Sequence, residues 1–230
     1  MTEKNKTSRI AGFIYLGIVL TGIFSLMYVP SKLIDYNNAS LTFQNKKNDE
    51  SLFRLGIVSG LLCYVLFIFL PIVLYKLLHQ VNENAAKLMV LFAIISVPMY
   101  FINVQNQLTV LSLMKSPNDL NVFSIEQLHS QVLFYLDQYH NGMRLVHIFS
   151  GLWLLPFGYL VFKSNFFPKF LGILLMLGCF GYLINFLGNT LISNYSELGI
   201  ASYISLPASI GEIGTCFWLL FVGAKEKQTK

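Results

Sequence analysis

Charge is scarce in this chain of 230 residues. Sixteen Lys and Arg and eleven Asp and Glu make up only 12% of it, about half the share of a soluble domain. That shortage excludes a disordered chain, a solvated coiled coil and an ordinary water-soluble domain. Cysteine is scarce too. Cys63, Cys179 and Cys216 are odd in number and lie in apolar runs, so a disulfide framework is not expected. No HExxH, Walker A, GxGxxG, GxSxG or kinase signature occurs, and nothing implies a cofactor. His140 and His147 are seven residues apart, too far along a helix to share one ion, so no metal site is expected. The basic residues form no continuous face or arm, which argues against nucleic acid as a partner.

What the chain has is apolar length. Apolar residues make up 55% of it, and the mean hydropathy is +0.60. Six stretches are long enough to cross about 30 Å of hydrocarbon as helices. They run over 10–29, 53–78, 85–105, 142–162, 167–191 and 203–222. The third can continue to Met114. The expected fold is all-α: one polytopic membrane bundle of six transmembrane helices over 10–222, with short tails at 1–9 and 223–230. No alternating ten-residue pattern marks a β-barrel. The first apolar block follows Lys4, Lys6 and Arg9 but is too long for a signal peptide and lacks a cleavage site, so it reads as a retained helix.

The connections differ by side. On one side they are minimal, at 80–84 and 165–166. On the other, 30–52 reads as a polar, Asn-rich link, and 115–141 contains an amphipathic helix over 124–139. Ser124 and Gln127 form a capping box for that helix. Its apolar face is Ile125, Leu128, Val132, Leu136 and Tyr139. Asn141-Gly142 is the expected break between it and the fourth span. Small residues at Gly56 and Gly60, and at Gly178, Gly181 and Gly188, read as helix-packing faces.

Polar residues concentrate in the halves of the spans nearest the longer links. Arg54 lies there on the second span, Asn103 and Gln107 at the end of the third, and Asn185 and Asn189 on the fifth. On the fourth, His140, Arg144 and His147 share one stripe with Asp137 and Gly151. Glu212 lies deepest, close to the bilayer centre, with Arg144 or His147 as its expected partner. Polar groups in hydrocarbon turn inward, so these nine residues are expected to line a polar cavity open to the outside.

The entry Ser8-Arg9-Ile10-Ala11-Gly12, the run Ser51-Leu52-Phe53-Arg54-Leu55-Gly56-Ile57-Val58, the hairpin Phe167-Pro168-Lys169-Phe170-Leu171-Gly172, and Pro207 with Gly211-Glu212 resemble the bacterial membrane proteins grouped as the domain of unknown function 4386 family. The resemblance covers about residues 8 to 224. It implies six helices in a bacterial cytoplasmic membrane, supplies no activity, and matches Arg54, His140 and Glu212 to family positions.

Three functions fit this pattern. The first is binding or translocation of a small amphiphile or lipid, anionic if Arg54 and Arg144 form the mouth. The second is a structural or accessory subunit whose polar residues hold helices together. The third is an intramembrane enzyme using His and Glu as acid and base. Orientation follows from the basic residues: ten flank the side bearing the termini and six the other, so both termini are expected in the cytoplasm. Asn45→Cys is therefore expected to react with an impermeant thiol reagent added outside intact cells, and Thr229→Cys only after lysis. The reverse pattern would invert the topology.

Overall fold

The computed structural model describes residues 2–115 and 124–224, and among them only helices form. Six helices are long and apolar enough to cross a membrane: α1 (Glu3–Leu33), α3 (Glu50–Leu78), α4 (Glu83–Lys115), α5 (Ile125–Lys163), α6 (Lys169–Leu191) and α7 (Ile200–Val222). A shorter helix, α2 (Ala39–Asn48), lies between the first two spans. Each start is set by side-chain chemistry where the sequence supplies it. Thr2, Asn38, Asp49 and Asn82 each accept from a backbone N–H three residues on. Ser124 and Gln127 make the reciprocal capping box, and Leu128, Val132, Leu136 and Tyr139 are buried beneath it. The expected tail at 1–9 is helical from Glu3. The tail beyond residue 224 lies outside the described residues.

Each span packs on the next, and α7 returns to α1, so the six form a closed ring. The closing contact lies at the end carrying both termini. A methyl group at Gly12 would sit 2.8 Å from the Leu220 backbone nitrogen, so only glycine lets the two backbones approach there. Arg9 Nη2 donates to the Phe221 carbonyl at 2.8 Å across the same contact. Outward-facing side chains are apolar: Phe13, Leu20 and Met27 on α1, and Leu55, Val58 and Leu62 on α3. Exposed apolar stripes of this length match a lipid surroundings, and the chain is a multi-pass membrane protein. Gly178 and Gly181 face Ala208 and Ile204 of α7, and Gly56 faces Val29 of α1.

Two local expectations are corrected. The 30–52 link is not a loop but carries α2, which packs on α5. Asn38 caps it, and Thr42, Phe43 and Lys46 turn inward at helical spacing. The Asn141-Gly142 step does not break α5, which is continuous from Ile125 to Leu152. Gly142 is there for close approach: a Cβ would lie 2.0 Å from Asn103 Oδ1 of α4. Asn103 Nδ2 meanwhile donates to the Tyr139 carbonyl at 2.9 Å. The break falls instead at Trp153, where Pro156 lacks an N–H and its ring crowds the carbonyl four residues back. In α1, Pro30 has the same effect: the preceding turn widens, and the Val29 N–H bonds the Phe24 carbonyl five residues back.

Lys46 is the odd side chain of α2. It is fully buried, its Nζ has no hydrogen-bond partner among the described residues, and it rests 3.4 Å from the centre of the Phe53 ring. Burial penalises the ammonium and pulls it from an ordinary 10.5 down to about 7. A folded-state value below the unfolded one means that the unfolded chain holds the extra proton between about 7 and 10.5. Stability therefore rises with pH through that window and is lowest below it.

Lys46→Met is accordingly expected to raise the melting temperature more at pH 6 than at pH 10. Equal shifts at both would show that the amine is not charged at a cost. Gly142→Ala is expected to destabilise by about 1–3 kcal/mol, the cost of displacing Asn103 from a buried hydrogen bond, whereas Asn141→Ala changes little. Adding Asn103→Ala to Gly142→Ala should then cost less than the two losses summed, since both act on one contact.

Candidate functional site

A cavity of about 490 Å³ lies inside the ring between α1, α3, α5, α6 and α7. Its floor is aromatic. Tyr15, Phe67 and Trp153 meet there, with ring centroids 6.4 Å apart for Tyr15–Trp153 and 5.0 Å for Phe67–Trp153. Trp153 is fully buried and stacks on Phe157 at 5.0 Å, so the break in α5 is filled by packed rings. Above the floor the walls are mostly aliphatic: Ile18, Val19, Ile23 and Leu26 of α1, and Ile213 of α7.

The polar groups in the lining are few and gathered. Glu212 enters from α7, ten residues before the end of that helix, or about 15 Å at 1.5 Å per residue. Its carboxylate accepts from Tyr15 Oη at 3.3 Å. Among the described residues no basic side chain comes within 4.0 Å of it. His147 and Ser150 enter from α5, Tyr182 from α6, Ser209 from α7 and Tyr64 from α3. The His147 ring lies 5.6 Å from that of Tyr182. Among the described residues no Lys or Arg lines the cavity. Among the described residues no three His, Cys, Asp or Glu side chains group as metal ligands would.

Of the nine residues expected to share one cavity, the structure brings Glu212 and His147 to it. The partner of Glu212 is Tyr15 on α1, not Arg144 or His147 on α5. The other seven lie elsewhere. Asn103 joins α4 to α5 through the Tyr139 carbonyl, and Gln107 is buried on the same helix one turn on. Asn185 joins α6 to α7: its Nδ2 donates to Ser205 Oγ at 2.8 Å and to the Ala201 carbonyl, while its Oδ1 accepts from Tyr195 at 2.7 Å. Asn189 donates back to the Asn185 carbonyl of its own helix. Arg54 pairs with Glu50 one turn before it, in an exposed contact of little energetic weight. His140 packs on Tyr36, and Arg144 is half-buried outside the lining.

Tyr15, Tyr64, Tyr182, Ser150 and Ser209 are lining residues that the sequence reading did not bring to the site. Depth was the available signal for Tyr15. It lies twelve residues past the start of α1, and Glu212 lies ten before the end of α7, at the same end of the bundle.

The profile of the family described as a domain of unknown function (DUF4386) matches residues 10–223, nearly the whole chain. The chain is also similar to an uncharacterized protein of Archaeoglobus fulgidus, 28% identical over 171 residues, which cover 74% of this chain and 85% of that one. No solved structure matches it significantly.

Proposed function

This chain belongs to the DUF4386 family, and we propose that it binds a small amphiphile in its intramembrane cavity, with both termini in the cytoplasm of a prokaryotic cell. One observation carries the reading: a cavity of about 490 Å³ in the hydrocarbon layer, apolar on most of its wall, with its polar groups gathered around Glu212. That volume suits a drug-sized or single-chain molecule. An apolar wall with a small polar cluster is what a molecule with a tail and a head requires. A carboxylate deep in a bundle is expensive to keep, and a purely structural helix contact needs none.

The two other readings receive less support. A His–Glu acid–base pair needs those groups in hydrogen-bond reach, and Glu212 is engaged by Tyr15 instead. Helix-joining polar contacts are present at Asn103 and Asn185, but they lie in the seams and leave the cavity unfilled. Arg54 and Arg144 are not in the lining, so the positive mouth that suggested an anionic head is not part of this cavity.

Native mass spectrometry of protein purified in a mild detergent tests the reading. The wild type is expected to carry a small co-purified molecule at about one per chain. Val19→Trp, which fills the wall, and Glu212→Gln, which removes the charge, are expected to lose it while remaining folded. A wild type that stays empty after incubation with total membrane lipid extract would end the proposal.

A further inference from the structure

We infer that the occupant is a lipophilic cation, an alkyl chain bearing an ammonium group, and that it enters sideways from the bilayer between α1 and α7. The inference rests on the amphiphile reading above and adds the sign of the head group and the route.

The sign comes from what the lining lacks. Among the described residues Glu212 is the one carboxylate of the lining, and its one basic side chain is His147, with no Lys or Arg beside it. The Tyr15 hydroxyl offers one hydrogen bond at 3.3 Å, which leaves the carboxylate without a counter-charge. A bare carboxylate in a low-dielectric interior is costly; protonation removes the charge, whereas an ammonium brought by the ligand pairs with the charge and keeps it. The rings around it fit the same head. Tyr15, Tyr64, Trp153 and Tyr182 all face the cavity, and aromatic faces attract alkylammonium groups. An anionic head would meet Glu212 with like charge, and a neutral one would leave it unpaired.

The route comes from the exposed stretch of cavity wall along α1 and α7. At the end bearing the termini they touch at Gly12 and Leu220, with Cys216 Sγ 3.7 Å from the Gly12 carbonyl. Tyr15–Glu212 is the last hydrogen bond that joins them among the described residues. Beyond it, the same row of α1 continues every fourth residue as Val19, Ile23 and Met27, and all three line the cavity. Ile23 and Met27 are 46% and 66% exposed, and Ile213 opposite is 38% exposed, so the cavity reaches the side of the bundle there. The widened turn at Phe24–Tyr28 lies in this wall. A single alkyl chain already in the membrane meets apolar side chains along the whole path.

The test uses the full chain in nanodiscs of zwitterionic lipid, with dodecyltrimethylammonium, dodecanoate and dodecanol as probes and intrinsic tryptophan fluorescence as the readout, because Trp153 lines the site. The cation is expected to bind saturably and about tenfold or more tighter than either of the others, the scale of one charge-assisted contact. Glu212→Gln is expected to erase that preference. If Glu212→Gln does not fold, Tyr15→Phe serves instead: with the competing hydroxyl gone, the cation is expected to bind at least as tightly. Ile23→Trp and Met27→Trp, at exposed positions that tolerate bulk, are expected to slow the association rate of the cation about tenfold. Binding of dodecanoate or dodecanol as tight as that of the cation would overturn the inference and leave the amphiphile reading standing. Failure of all three probes, together with an empty wild type in native mass spectrometry, would remove both. Unchanged association rates in the two tryptophan variants would overturn the lateral route.

Discussion

A polar group inside hydrocarbon has no water to fall back on, and the arrangement of this bundle follows from that constraint. Two amides on the spans reach across to the neighbouring helix, while the Gln107 Oε1 stays buried without a partner among the described residues. Asn103 reaches the Tyr139 carbonyl, and Asn185 holds Ser205, Ala201 and Tyr195 at once. These contacts fix the α4–α5 and α6–α7 seams side by side. Glu212 differs in its surroundings: it receives a single hydrogen bond from a hydroxyl and faces a cavity rather than a seam.

Prolines and glycines divide the work of shaping that opening. Pro30 and Pro156 each remove a backbone donor and disturb the turn before them. One result is the wide turn that carries Leu26 and Met27 along the cavity wall; the other is the break at Trp153 that forms its floor. Glycines act in the opposite sense, where helices must close. Gly12 brings α1 onto α7 at one end, and Gly142 lets α5 lie against Asn103 of α4. Closure at Gly12 seals α1 against α7 at one end, and beyond Tyr15 the α1 residues Val19, Ile23 and Met27 line the cavity.

The layer built on α2 obeys a different physics. The span α5, of 39 residues, is longer than the roughly 20 that a bilayer needs, and its excess carries α2. Lys46 is buried there against Phe53 without an acceptor. An ammonium held so is tolerated only because it can shed its proton, which ties the cohesion of this layer to pH.

The six spans, the helix from Ser124 and the packing glycines were legible in the sequence because each is a local pattern: apolar length, a capping pair, an i, i+4 spacing. The depth of Glu212 was legible for the same reason, since depth is a count of residues along one helix. Its partner was not. Position along a helix says nothing of rotation about its axis, and rotation decides that Tyr15, not Arg144, faces the carboxylate. The same ambiguity scattered the polar set that the sequence had placed in one cavity. Asn103, Asn185 and Arg54 share a half of the bundle with His147, but each turns to a different neighbour. Asn141-Gly142 looked like a turn because those residues favour turns locally. Packing against Asn103 used the same glycine to let two helices touch. Sequence alone therefore determined which residues are in the membrane and how deep. The tertiary structure decided which of them meet, because contacts across the ring depend on the helix rotations that close it.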